Sequence, residues 1–203
     1  LEARRIYSME KRTIECADHT ICISPQDALD LQKEFDAANI SYLPSVLPTK
    51  EKCWKENDSK KIIFTGGLSF YPNLHGFMWM LEHVWCSFLE NHPEYKLVIT
   101  GKVNDTIKKK LALYPHVECT GFLSEEELER QMIGAQLAVV PIIKGSGVKV
   151  KLLEALAYGM PIVTTEECHR GVWTGTTEEE PYLHTSDPQQ FLRCMCRMAS
   201  DAG

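Results

Sequence analysis

From Lys61 onward, short apolar runs alternate with amphipathic helical periods, and that alternation admits few folds. Residues 61–65, 96–100, 117–120, 137–141 and 161–165 read as strands. Residues 74–89, 105–113, 125–133, 148–158 and a last stretch beginning at Pro188 carry helical periodicity. Strands separated by helices pair in parallel, because each crossover needs a helix-length connection, and the helices then cover both faces. The predicted class is therefore α/β, a doubly wound parallel sheet. Boundary chemistry agrees with it. Ser124 and Glu127 are spaced as a capping box, Asp187-Pro188 has the form of a helix start, and Gly159 stands where the helix of Lys149 should stop.

The first part of the chain is organised differently. Residues 2–17 read as a helix and 20–23 as a short strand; Ser24-Pro25 with Asp27 then opens another helix, as an N-cap, a proline at the first helical position and an early acid. Residues 44–60 contain two prolines and no sustained apolar period, which marks a connector. The predicted organisation is 1–50 as one part with its connector and 51–203 as a separate domain.

Composition excludes several classes. With 44% hydrophobic and 25% charged residues, the chain reads as soluble and globular, and no apolar run approaches the roughly 20 residues of a membrane span. A net charge of -6 argues against the basic face that nucleic acid requires. The eight cysteines are scattered, and the chain opens without a charged and apolar leader pattern, so a cytoplasmic, reduced protein is expected. Cys16, His19 and Cys22 have a spacing compatible with zinc, but a fourth ligand is missing; they read as core cysteines, and no metal is expected.

In a parallel sheet, ligands seat beyond the carboxyl ends of the strands, so the residues after each strand are the informative ones. Gly66-Gly67 follows the first strand and permits close backbone approach, with Asn73 placed to cap the next helix. Lys102 follows the second strand. Phe122 and Leu123 follow the third, where exposed main chain can read a nucleobase edge and Phe122 can equally cover the core. The fourth loop is the strongest feature: Lys144-Gly145-Ser146-Gly147-Val148 runs directly into a helix bearing Lys149, Lys151 and Glu154. A helix start offers unpaired N–H groups and partial positive charge, and glycines let a diphosphate come close. Lys149 or Lys151 can then supply a point charge to the phosphate oxygens, and Glu154 can accept hydrogen bonds from sugar hydroxyls. Neither a dinucleotide fingerprint nor a Walker loop is present.

The run Gly145-Ser-Gly-Val-Lys-Val-Lys-Leu-Leu-Glu154, continuing to Thr165, resembles the donor-site signature of family four of the retaining glycosyltransferases. Phe64-Thr-Gly-Gly67, Tyr71-Pro-Asn73, Leu97-Val-Ile-Thr-Gly101 and Val117-Glu-Cys-Thr-Gly-Phe122 follow the same family order, and the resemblance extends from Lys61 to about Ser200. It implies the Rossmann-like C-terminal half of a GT-B fold. Residues 1–50, with Ala17-Asp-His-Thr-Ile-Cys-Ile-Ser24, are similar to the end of the N-terminal acceptor domain, so the chain is expected to be a fragment, inactive alone. The implied activity is retaining, metal-independent transfer from a UDP- or GDP-sugar, of hexosyltransferase type, without a cofactor. The acceptor, a glycan, a lipid-linked sugar or a protein, would be bound by the other half, and bacterial polysaccharide assembly is the suggested setting. A full-length enzyme of this type can associate peripherally with the inner face of a membrane. By the same resemblance Glu154 matches the second glutamate of the family's Glu-x7-Glu signature, which binds the donor ribose. Ser146 replaces the first glutamate, as in a Gly-Ser-Gly-Thr-Arg-Leu-Lys subgroup. No cation stands between Gly67 and Gly76, which leaves Lys149 and Lys151 to carry the phosphate charge; Lys151 and Glu154 are the expected catalytic residues.

Two other readings stay open, a GT-B nucleotide-sugar epimerase and a non-catalytic nucleotide-sugar-binding scaffold. Glu166-Glu167-Cys168-His169-Arg170-Gly171 follows the fifth strand and is a candidate sugar-side loop with acid-base character. Phe77, Trp79, Trp85 and Phe88 read as core packing rather than a membrane face. The runs 125–127 and 178–180, three glutamates each, read as solvated faces.

Overall fold

A computed structural model describes residues 2–47, 50–172 and 180–200; Glu178 and Glu179 of the second acidic run lie outside the described residues. The chain divides into two compact units, one reaching to Val46 and one beginning at Leu47, with the loop segments Ser146–Val148 and 170–172 grouped with the first.

The first unit contains α1 (Glu2–Cys16), β1 (Thr20–Cys22), α2 (Pro25–Phe35) and β2 (Ile40–Tyr42), with β1 and β2 paired in parallel. Ser24 caps α2 by accepting from the Asp27 amide at 3.2 Å, with Pro25 in the first turn. A small core of Ile14, Cys22, Ala28 and Ile40 holds the unit together. Cys22 is buried there, whereas Cys16 is exposed, which corrects the reading of both as core cysteines. Ile14 is the buried residue of α1, and Cys16 projects from another face of the helix.

In the second unit the elements are β3 (Lys61–Thr65), α3 (Tyr71–Met80) continuing through a π-helical turn (Leu81–Trp85) into α4 (Cys86–Asn91), β4 (Lys96–Thr100) and α5 (Asp105–Leu111). After these come β5 (Val117–Gly121), α6 (Glu125–Ile133), β6 (Leu137–Val140), α7 (Val150–Ala157), β7 (Ile162–Thr164), α8 (Glu166–Arg170), β8 (Leu183–His184) and α9 (Pro188–Ser200). The six strands form one parallel sheet in the order β5-β4-β3-β6-β7-β8. The inner strands β3, β4, β6 and β7 are buried almost throughout, as strands covered by helices on both faces must be, and no residue of β5, at one edge, is fully buried. Edge position explains why Cys119 on β5 is exposed, and Cys53 and Cys86 are exposed as well; only Cys22 and Cys168 are buried.

Local chemistry sets the predicted starts of α6 and α9 and the end of α7. Ser124 and Glu127 form the full capping box, and the Gln190 amide donates to Asp187 at 2.8 Å at the start of α9. Past the end of α7, Gly159 donates to Leu156 and Met160 to Ala155, the paired bonds of a Schellman stop. On α9, Phe191, Met195 and Ala199 recur at helical spacing and are buried. Phe77, Trp85 and Phe88 are fully buried and Trp79 is half-buried against Phe191, so these four aromatic residues of the α3–α4 helix pack inward, whereas Tyr71 in its first turn is exposed. Helix α3 approaches β6 closely enough that a side-chain carbon at Gly76 would stand 2.1 Å from the Pro141 carbonyl oxygen; only glycine fits.

Candidate functional site

The strand order of the sheet reverses between β3 and β6. The chain winds outward from β3 through β4 to β5, then returns to β6 and winds the other way. Connections on opposite faces leave a crevice outside the carboxyl ends of those two strands, where open parallel sheets hold their ligands. The loops leaving β3 and β6 are those of Gly66-Gly67 and of Lys144-Gly145.

One hydrogen bond joins the two sides of that crevice. Asn73, in the first turn of α3 and 7% exposed, donates from Nδ2 to the Gly67 carbonyl at 3.0 Å. Its Oδ1 accepts from Lys151 Nζ at 2.7 Å, and Lys151 stands in the first turn of α7. Asn73 is therefore a bridge and not the predicted cap; Phe70 holds the N-cap position and makes no side-chain capping bond, because α3 begins earlier than the apolar period suggests. Gly66 lies at the meeting point with φ +117°, and a β-carbon there would sit 3.1 Å from Asn73 Nδ2 and 3.4 Å from Lys151 Cε. The Gly66 amide donates to Thr100 and the Leu68 amide to Lys102, which ties the exit of β3 to that of β4.

Burial holds the Lys151 ammonium below its ordinary 10.5; Cys168 and Glu154 oppose the fall and Lys149 adds to it. Its hydrogen-bond partner is an amide oxygen and not a carboxylate. A half-buried ammonium so placed, at the start of a helix, has positive charge to spare for an anion. Lys149 occupies the N-cap position of α7 and does not cap with its side chain, so the helix begins later than predicted. Its buried ammonium lies 3.6 Å from Glu167 of α8, and part of its charge is already met by that carboxylate. Glu154 is half-buried on α7; burial raises its carboxyl above the ordinary 4.5, with Lys50 and Lys151 pulling the other way. Gly145, at φ +126°, lies near Pro72 and Lys149, while Ser146, Gly147 and Val148 group with the first unit. Lys102 is exposed, Leu123 half-buried, and Phe122 83% exposed, so Phe122 does not cover the core.

A second group of polar side chains lies on the β7 side of the sheet and was not foreseen as a unit. His169 of α8 and His184 of β8 stack at 3.9 Å with rings 7° from parallel. Glu180 lies 2.7 Å from His184 Nε2, so this glutamate is not simply part of a solvated face. The sequence signal was thin, because the pair of histidines is separated by fifteen positions and the intervening acids read as a charge run.

The comparisons with known proteins fit this arrangement. Over 159 residues the chain is 28% identical to an uncharacterized 44.6 kDa protein in the cps region of Klebsiella pneumoniae, covering 75% of this chain and 40% of that protein. Among solved structures, sucrose-phosphate synthase of Thermosynechococcus elongatus superposes with a TM-score of 0.73 at 20% identity, over 95% of this chain and 52% of that one. A mutant of S. aureus TarM, in a structure with fondaparinux, alpha-GlcNAc-glycerol and UDP, gives 0.70 at 15% identity, over 94% and 39%. The chain thus spans about half or less of the proteins it matches, and its fold is that of the Rossmann-like C-terminal half of a GT-B protein. Residues 59–201 match the family model for Glycosyl transferases group 1, and the chain belongs to that family.

Proposed function

We propose that the chain supplies the donor site of a glycosyltransferase and seats a UDP- or GDP-sugar outside the carboxyl ends of β3 and β6. The observation that carries this reading is Lys151: a half-buried ammonium at the start of α7, hydrogen-bonded at 2.7 Å to an amide and set against Gly66 at the strand-order reversal. A nucleoside diphosphate meets that ammonium and the first amides of α7 together. As the glycosidic bond to the diphosphate breaks, negative charge grows on the leaving phosphate while the sugar gains oxocarbenium character. Groups already aimed at that charge lower the barrier, because they need no reorganisation when it appears. Lysines and a helix start fill this role without a metal on the diphosphate.

Lys149 shares the work once Glu167 yields it, and Glu154, half-buried on the same helix, accepts from the donor ribose. TarM's structure contains UDP, which supports a uridine nucleotide as the first to try. Retention of configuration and a hexosyl donor belong to the same proposal, and so does a setting in polysaccharide assembly, which the cps-region relative supports.

The test is titration calorimetry of the chain with UDP, GDP and ADP, repeated on Lys151→Ala and Glu154→Ala. Saturable binding of UDP or GDP that weakens in both variants is the expected result. Binding of none of the three, or binding that neither substitution changes, would overturn the proposal.

A further inference from the structure

The cluster on α8 and β8 has the form of a metal site. His169, Glu180 and His184 each present a ligand atom, and these atoms lie within 4.8 Å of one another. Glu180 reaches both rings, with Oε2 2.7 Å from His184 Nε2 and Oε1 3.9 Å from His169 Nε2. The other nitrogen of each ring is already engaged: His184 Nδ1 with Glu166 Oε2 at 3.1 Å, and His169 Nδ1 with the Tyr182 hydroxyl at 3.3 Å. Histidines that bind metals are held in this manner, by a carboxylate or other polar group on the far nitrogen that fixes the ring and its tautomer.

Charge accounting favours a cation at the centre. If His184 donates from Nδ1 to Glu166, its Nε2 carries a lone pair that faces the Glu180 carboxylate, and two electron-rich atoms at that distance repel. A cation between them removes the conflict. One divalent ion can serve both rings and the carboxylate together. Two ligands on a tetrahedral zinc stand about 3.3 Å apart, so His184 Nε2 and Glu180 Oε2 part slightly from 2.7 Å and the stacked rings turn out of their stack to face one ion.

We propose that His169, Glu180 and His184 bind one divalent transition metal ion of the zinc class, with Glu166 and Tyr182 as outer partners. Two imidazoles and a carboxylate suit zinc and its neighbours rather than magnesium or calcium, and three protein ligands leave a coordination position for water or an anion. The ion ties α8 to β8 and so steadies the helix whose Glu167 holds Lys149. This site stands apart from the donor proposal, since none of its ligands is a nucleotide-binding candidate there.

The chain, stripped with EDTA, is titrated with zinc chloride against a chromogenic chelator, and cobalt(II) is added separately for its absorption spectrum. The expected result is one equivalent that disappears in His184→Ala and in Glu180→Gln, with folding of each variant checked by circular dichroism. Glu166→Gln retains the equivalent with affinity about ten- to a hundredfold weaker. Cobalt gives nitrogen and oxygen ligation without a thiolate charge-transfer band. No zinc uptake, uptake unchanged in folded His184→Ala or Glu180→Gln, or a thiolate band that marks the cysteines as the ligands would overturn the proposal.

Discussion

Gly66→Ala puts the geometry of the crevice to a quantitative test. At φ +117°, Gly66 has a backbone conformation that side-chain-bearing residues rarely adopt, and holding alanine there costs about 1–3 kcal/mol. The added carbon also stands 3.1 Å from Asn73 Nδ2, and Asn73 is pinned by its bonds to Gly67 and Lys151, so its amide must retreat by a few tenths of an ångström. Gly159→Ala is the matched control. Gly159 also has a positive φ, +70°, but a β-carbon there meets nothing within 4 Å, so only the left-handed backbone cost of roughly 1–2 kcal/mol applies. Urea titrations of the two variants should show both destabilised, Gly66→Ala at least as much. Calorimetry with UDP should show Gly159→Ala binding as the parent does and Gly66→Ala several-fold weaker. A Gly66→Ala chain with parental stability and parental UDP affinity would refute the idea that this glycine sets the Asn73–Lys151 contact.

Glu167→Gln removes the carboxylate that competes for Lys149, so UDP should bind several-fold more tightly by calorimetry, and unchanged or weaker binding would show that Glu167 does not restrain that lysine. Gly76→Ala leaves no room for its methyl against the Pro141 backbone, and overpacking of this kind should lower the unfolding free energy by about 1–3 kcal/mol or more in urea. For Glu154, burial raises the folded carboxyl above 4.5, so its favourable contribution is complete below that pH and is lost as pH rises through the folded value. Thermal melts of the parent across that window should therefore fall relative to those of Glu154→Gln, and parallel pH profiles would count against a buried Glu154.

The parallel sheet was legible because its inner strands are buried on both faces and so appear as unbroken apolar runs, and because Ser124, Asp187 and Gly159 punctuate the helices. Two short strands escaped notice. β2 has three residues and β8 has two, and each gains its identity from its partner strand rather than from its own pattern. The loop of Gly145 with Lys151 and Glu154 was visible because glycines before a cationic helix form a local signal. The role of Asn73 was not, since its partners Gly67 and Lys151 come from different elements and the Lys151 contact spans 78 positions. Nor could spacing reveal that Lys149 is shared with Glu167, or that Glu180 turns toward two histidines.

The most direct test of the phosphate seat compares UDP with uridine on the parent chain and on Lys151→Ala. Hydrogen bonds from a charged group contribute about 1.5–3 kcal/mol, which corresponds to roughly ten- to over a hundredfold in affinity. The parent should prefer UDP by at least that factor, and the preference should collapse in Lys151→Ala while uridine binding stays unchanged. Equal preference for UDP in the parent and in Lys151→Ala would contradict the account, because the diphosphate would then be held elsewhere.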